Sequence, residues 1–160
     1  MTLTASEITG RILMAKRTKP KTKAGLISEQ NKAMKRGDTL LAKIIKAKAG
    51  GKCQMCGDQG RNAHHIIPRE QFATRHSPDN LIYLCFRCHK YSYPTLSCPD
   101  QVSAHKSSAG FIIKLMNLFP AKWSWVKKHY KDIACKADID WVQSEANLKR
   151  IKDAFEEAGE

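Results

Sequence analysis

The sequence predicts an α+β fold: a small unit of two strands and a helical turn, stapled by four cysteines, with helices on both sides. Three observations predict it. Two C-x-x-C pairs, Cys53–Cys56 and Cys85–Cys88, stand with 28 residues (57 to 84) between them. Within that interval Asn62 to Ile67 and Leu81 to Leu84 are short, β-prone runs. Outside it, apolar residues recur at the helical period.

At 160 residues the chain suits one domain with extensions. Lys and Arg outnumber Asp and Glu by 28 to 15, a net charge of +13. Such an excess points to a polyanionic partner, bound through phosphate contacts that release counterions. No apolar run reaches the roughly 18 residues of a membrane span. No secretory signal is evident at the N-terminus, so a reducing cytoplasm is expected. There, six cysteines argue for metal rather than disulfides.

Residues 1 to 52 hold thirteen Lys or Arg against three acids, a net +10. Lys16 to Lys23 has few core-forming residues and reads as a basic arm, which sets a first boundary at 1–37. Asp38 is placed to cap a helix carrying Leu40, Leu41, Ile44 and Ile45 on one face, with Gly50 and Gly51 ending it. The central module is assigned to 38–107, with a helical start at Phe86 to Tyr91 and a loop over 92–107 marked by Pro94 and Pro99. A helical extension, 108–160, follows. Phe111, Ile112, Leu115, Met116 and Phe119 form one stripe before Pro120; Trp123, Val126 and Tyr130 suggest a second helix. Asp138 or Asp140 caps a third, with Trp141, Val142, Ile151 and Phe155. These apolar and aromatic positions are expected in the core.

Each C-x-x-C spacing lets two thiolates point from a tight turn at one ion, and two pairs complete a tetrahedral set for structural Zn²⁺. Gly57 follows the first pair, where such a knuckle favours positive φ. Zinc can contribute on the order of 10 kcal/mol to folding, valuable to a thin core. Four sulfurs close the ion off, so it should not be catalytic. Cys98 and Cys135 have no C-x-x-C partner and are expected as small core residues.

The interval between the pairs is longer than a zinc ribbon's roughly 15–20 residues. It and its edge hold His64-His65-Ile66-Ile67-Pro68, Asn80-Leu81, and Leu84-Cys85-Phe86-Arg87-Cys88-His89. In these three pieces, in this order, the chain resembles the HNH (ββα-metal, His-Me finger) endonuclease family. Weaker similarity to its phage-type branch runs over residues 40 to 130, including Leu40 to Gly57, Phe72 to Asn80 and Ser103-Ala104-His105. Where many relatives have a Gly-Gly turn, this chain has Gln71-Phe72-Ala73-Thr74-Arg75.

The resemblance implies a metal-dependent endonuclease that hydrolyses DNA phosphodiester bonds, leaving 5′-phosphate and 3′-hydroxyl ends. A strand of the module would lie against the minor groove. It assigns His65 as general base, His64 and His89 as ligands of a catalytic divalent metal, and Asn80 to the loop and the His65 ring. Adjacent strand residues point to opposite faces, so His64 and His65 can take different tasks. The metal would be Mg²⁺, with Mn²⁺, Ni²⁺ or Zn²⁺ admitted by a His-rich site, acting as a Lewis acid on the leaving oxygen. His105 is a candidate third ligand, against a loop histidine. Arg69 and Arg75 are candidate phosphate clamps, against plain surface charge. His76 is expected at the surface. The likeness to phage proteins suggests protein partners in packaging or recombination and leaves oligomeric state open. The rival from another class is a non-catalytic zinc-dependent nucleic-acid-binding protein, for which charge and four cysteines suffice. A further rival cuts RNA.

Overall fold

Thr22 caps the first described helix by accepting a hydrogen bond from Gly25 N (3.2 Å) at the start of α1, Lys23–Lys48. In the computed structural model, which describes residues 22–94, 96 and 99–158, this helix is continuous. The boundary expected between residues 37 and 38 therefore falls inside it, and Asp38 is a mid-helix residue rather than a cap. Two features explain the difference. Gly37 is buried against His76, where an added Cβ would come within 2.3 Å of the imidazole; Asp38 spends its carboxylate on Arg75 and His76 instead of on helix amides. Of the expected basic arm, 1–37, residues 1–21 lie outside the described residues. Gly50 and Gly51, both at positive φ, end the helix as expected.

Strands β1 (Asn62–His65) and β2 (Leu81–Leu84) pair antiparallel with Ala63 opposite Tyr83 and His64 opposite Ile82. The expected first strand, drawn to Ile67, is shorter by two residues, because Ile67 turns to bond Asn80. All four β2 residues are buried, and their alternation divides two cores. Leu81 and Tyr83 pack with Leu41, Ile44 and Ile45 of α1. Ile82 and Leu84 pack with the cysteines and with Phe111 and Leu115 of α2, Ser108–Leu118. Opposite strand residues share a face, so His64 lies on the α2 side and His65 on the α1 side.

Pro120 starts α3, Pro120–His129. Asp140 caps α4, Trp141–Glu157, accepting from Val142 N and Gln143 N at 3.1 Å each. Helix α4 returns to α1: Leu148 joins the α1–β2 core, and Trp141 packs with Ala33 and Met34. Arg36 grips the buried Glu145 through Nε and Nη2, the shortest contact being 2.8 Å. The C-terminal helices thus complete the cores that support the strands. Met116, Tyr130, Val142, Ile151 and Phe155, expected in the core, remain more than a third exposed. Cys135 is also exposed, unlike the core residue expected, and Cys98 lies outside the described residues. No helix among the described residues is long and apolar enough to cross a membrane.

Candidate active site and metal centres

The first centre is built by two turns facing each other across the end of β2. Cys53 carbonyl accepts from Gly57 N at 2.8 Å, and Gly57 takes φ +79°, a conformation suited to glycine. Gln54 pairs with Tyr83 through both its backbone N and its side-chain oxygen (2.9 and 2.8 Å), locking the knuckle to β2. Arg87 and Asp58 join the two knuckles by an ion pair at 2.6 Å. The ligand atoms of Cys53, Cys56, Cys85 and Cys88 lie within 4.8 Å of one another. Cys56 Sγ and Cys85 Sγ are 3.7 Å apart; a tetrahedron with ~2.3 Å Zn–S bonds has edges of about 3.8 Å. Contact with Cys88 lowers the Cys53 thiol to about 4, whereas burial pushes Cys56 up to about 12. Cys88, beside Cys53, is also pushed up. Four sulfurs this close cannot all ionise without a cation among them, so the donor set fits zinc. The four cysteines form a structural zinc-type site.

The second centre sits on the α2 side of β1. A π-helical turn, Arg87–Tyr91, follows the second cysteine pair and carries His89. The backbone of the next segment adds to it: Ala104 N donates to Cys88 O (2.9 Å) and His105 N to His89 O (3.3 Å). This ties His105, sixteen residues away, beside His89, while β1 presents His64 and α2 closes the back with Phe111, 5.8 Å from the His64 ring. The ligand nitrogens of His64, His89 and His105 lie within 4.8 Å of one another. Burial first, then the neighbouring histidines, pushes His64 down to about 4; burial also lowers His89. Neutral imidazoles present lone pairs. His89 Nε2 and His105 Nε2 stand 3.3 Å apart, close to the roughly 3.0–3.4 Å between two nitrogens on one ion at ~2.0–2.1 Å. Among the described residues, the buried His89 Nδ1 has no hydrogen-bond partner. Nitrogen donors facing one another with no carboxylate among them fit a divalent metal.

These three histidines and His65 line one cleft of about 560 Å³, with Arg69, Glu70 and Lys90 at its walls. On the opposite face of β1, His65 Nε2 lies 3.0 Å from the Arg75 carbonyl. A carbonyl only accepts, so Nε2 carries the proton and Nδ1 keeps its lone pair. Burial lowers the His65 pKa, favouring the neutral ring.

Residues 53–92 match the family model described as HNH endonuclease. The segment is an HNH domain. The match covers a quarter of the chain, a narrower span than residues 40 to 130, and His105 lies outside it. No curated protein and no solved structure is similar enough to match.

Within the HNH domain, Asn80 holds the loop as expected, but its side-chain hydrogen bonds go to backbone groups of that loop and not to the His65 ring. Its wholly buried amide accepts from Ile67 N (2.7 Å) and donates to Ile67 O (3.0 Å) and Thr74 O (3.2 Å). It staples the loop over 66–79, and that loop supplies the Arg75 carbonyl. Arg75, a candidate phosphate clamp, is turned inward: Nε and Nη2 bond both Asp38 oxygens (2.8 and 2.6 Å), and Nη1 donates to Arg69 O. Its guanidinium is committed to the fold. Arg69 is exposed and lines the cleft, with Glu70 at 3.6 Å. His76, expected at the surface, is packed between α1 and α4, with Nδ1 2.7 Å from Ser144 Oγ. Burial pushes Asp38 up, but hydrogen bonds from His76 and Arg75 outweigh it and hold the carboxyl well below the usual range. Lys90 and Glu70 were not singled out by sequence; adjacency to His89 was the only signal for Lys90.

Proposed function

We propose that this protein is a metal-dependent DNA endonuclease whose catalytic ion is held by His64, His89 and His105 and whose general base is His65. The convergence of three imidazole ligand atoms within 4.8 Å, beside a fourth histidine fixed by a carbonyl, carries the reading. A zinc-dependent binding module has no use for that second donor set.

The bound ion would supply Lewis-acid stabilisation of charge on the phosphate and the departing 3′ oxygen. The protein's own groups do the rest. Loop 66–79, held by Asn80, keeps the Arg75 carbonyl on His65 Nε2, so the ring cannot turn and its Nδ1 can take a proton from water. After proton transfer the same carbonyl stabilises the imidazolium. Arg69 and Lys90, on the cleft wall, are placed to attract phosphate oxygens. The zinc-type site takes no part in the chemistry; it fixes the turn that carries His89.

The test is relaxation of supercoiled plasmid with Mg²⁺ or Mn²⁺ by the wild type beside His65→Ala, with bound zinc quantified in both. Cleavage by the wild type alone, at equal zinc and equal DNA binding, is expected. Silence of the wild type across several metals, with DNA still bound, would replace this reading by the zinc-dependent binding module. A matching RNA duplex separates the RNA-cutting rival.

A further inference from the structure

We infer that DNA leaving the histidine cleft crosses Ala63 and runs along a second, cationic groove whose phosphate ligands are Lys43, Lys46 and Arg61. This rests on the nuclease reading of the cleft and extends it to how the duplex is held outside the cleft. The groove has a volume of about 440 Å³ and lies between α1 and the start of β1. Ala63 lines both this groove and the histidine cleft, so the two hollows meet at one wall of β1.

The charge of the groove is what points to a ligand. Lys43 and Lys46 stand three residues apart on α1, neighbours on one helix face, and Arg61 directly precedes β1. All three are exposed; among the described residues no carboxylate lines the groove and none of the three is in an ion pair. Some cations of this fold are neutralised, Arg36 and Lys149 by Glu145, Arg75 by Asp38 and Arg87 by Asp58; what sets these three apart from other unpaired surface cations is that they line one hollow that shares a wall with the histidine cleft. Three like charges around one hollow repel each other, and a polyanion relieves that repulsion. A strand whose scissile phosphate sits at the histidines must continue in some direction. This groove is a contiguous path of matching charge.

Neutralising three phosphates gives a salt slope of about −2.7 in log K against log [salt]. The experiment measures binding of the full-length, zinc-loaded protein to a fluorescein-labelled 24-bp DNA duplex between 50 and 200 mM salt. It is done in the His65→Ala background, so that binding is read without cleavage. Lys43→Gln/Lys46→Gln/Arg61→Gln should flatten the slope by about 2–3, so that it loses roughly 40-fold less affinity than its parent over this range. Lys127→Gln/Lys128→Gln/Lys131→Gln, an equal charge change at the end of α3, should leave the slope within one unit of the parent. An unchanged slope in the groove variant, or an equal loss in the α3 variant, would overturn the inference. If the wild type never cleaves yet the groove variant alone flattens the slope, the nuclease reading fails and the DNA track stands.

Discussion

Replacing Asn80 by alanine should do two separable kinds of damage. The side chain is wholly buried and makes three hydrogen bonds, so Asn80→Ala strands Ile67 N, Ile67 O and Thr74 O in a dry environment. At ~1–1.5 kcal/mol for each bond lost, the change should cost about 3–4 kcal/mol. For a chain of this size that corresponds to a fall of roughly 6–15 °C in melting temperature. The freed loop also carries the Arg75 carbonyl that holds His65 Nε2 at 3.0 Å. A shift of about 1 Å there should lower kcat on the order of 100-fold, with KM within about twofold. Urea unfolding of zinc-loaded protein measures the first effect. Single-turnover nicking, well below the melting transition, measures the second. A stability loss under ~1 kcal/mol, or wild-type kcat in a destabilised variant, would refute the claim that Asn80 positions the base through its loop.

Four further outcomes follow from the same geometry. Stripping zinc with a thiol-competing chelator should unfold the two-stranded unit, seen as collapsed amide dispersion in NMR spectra, because the thin core loses a contribution on the order of 10 kcal/mol. Asp38 has a depressed folded pKa, so its stabilisation is complete above the ordinary carboxylate range near 4 and is lost as pH falls below it. Asp38→Asn should therefore narrow its stability gap to the wild type on acidification below about pH 4, in a comparison of urea midpoints across pH. Arg69→Ala should raise KM for DNA without moving the melting temperature. Arg75→Met should instead cost about 2–3 kcal/mol, because a part-buried Asp38 loses its bidentate partner.

Spacing made the two donor clusters legible. Two C-x-x-C pairs and a histidine pair on an alternating strand are local patterns, and the fold places their members as local geometry requires. Asp140 as a cap, and Gly50 and Gly51 as a helix stop, were readable for the same reason. Contacts between distant polar residues were not. Asp38 has the sequence context of a helix cap, and only the arrival of Arg75 and His76, 37 and 38 residues later, gives it another task inside a continuous helix. That network turns Arg75 away from the cleft and buries His76. The sequence did not place His105: two backbone hydrogen bonds from its segment to the Cys88 and His89 carbonyls set it beside the other imidazoles. The role of Asn80 followed the same course: its type and position were legible, its partners were not, since they depend on how the 66–79 loop folds back. Exposed Cys135 and the half-exposed ends of α2 and α4 show that apolar periodicity marks a helix more firmly than it marks burial.

The most direct test titrates Mn²⁺ calorimetrically into zinc-loaded wild type, His65→Ala and His105→Ala, with plasmid cleavage measured on the same samples. One Mn²⁺ site is expected in the wild type, unchanged in His65→Ala although cleavage is lost. His105→Ala should bind Mn²⁺ about 10–100-fold more weakly and cleave only at correspondingly higher metal concentration. Wild-type Mn²⁺ affinity in His105→Ala, or wild-type cleavage by His65→Ala, would contradict these assignments.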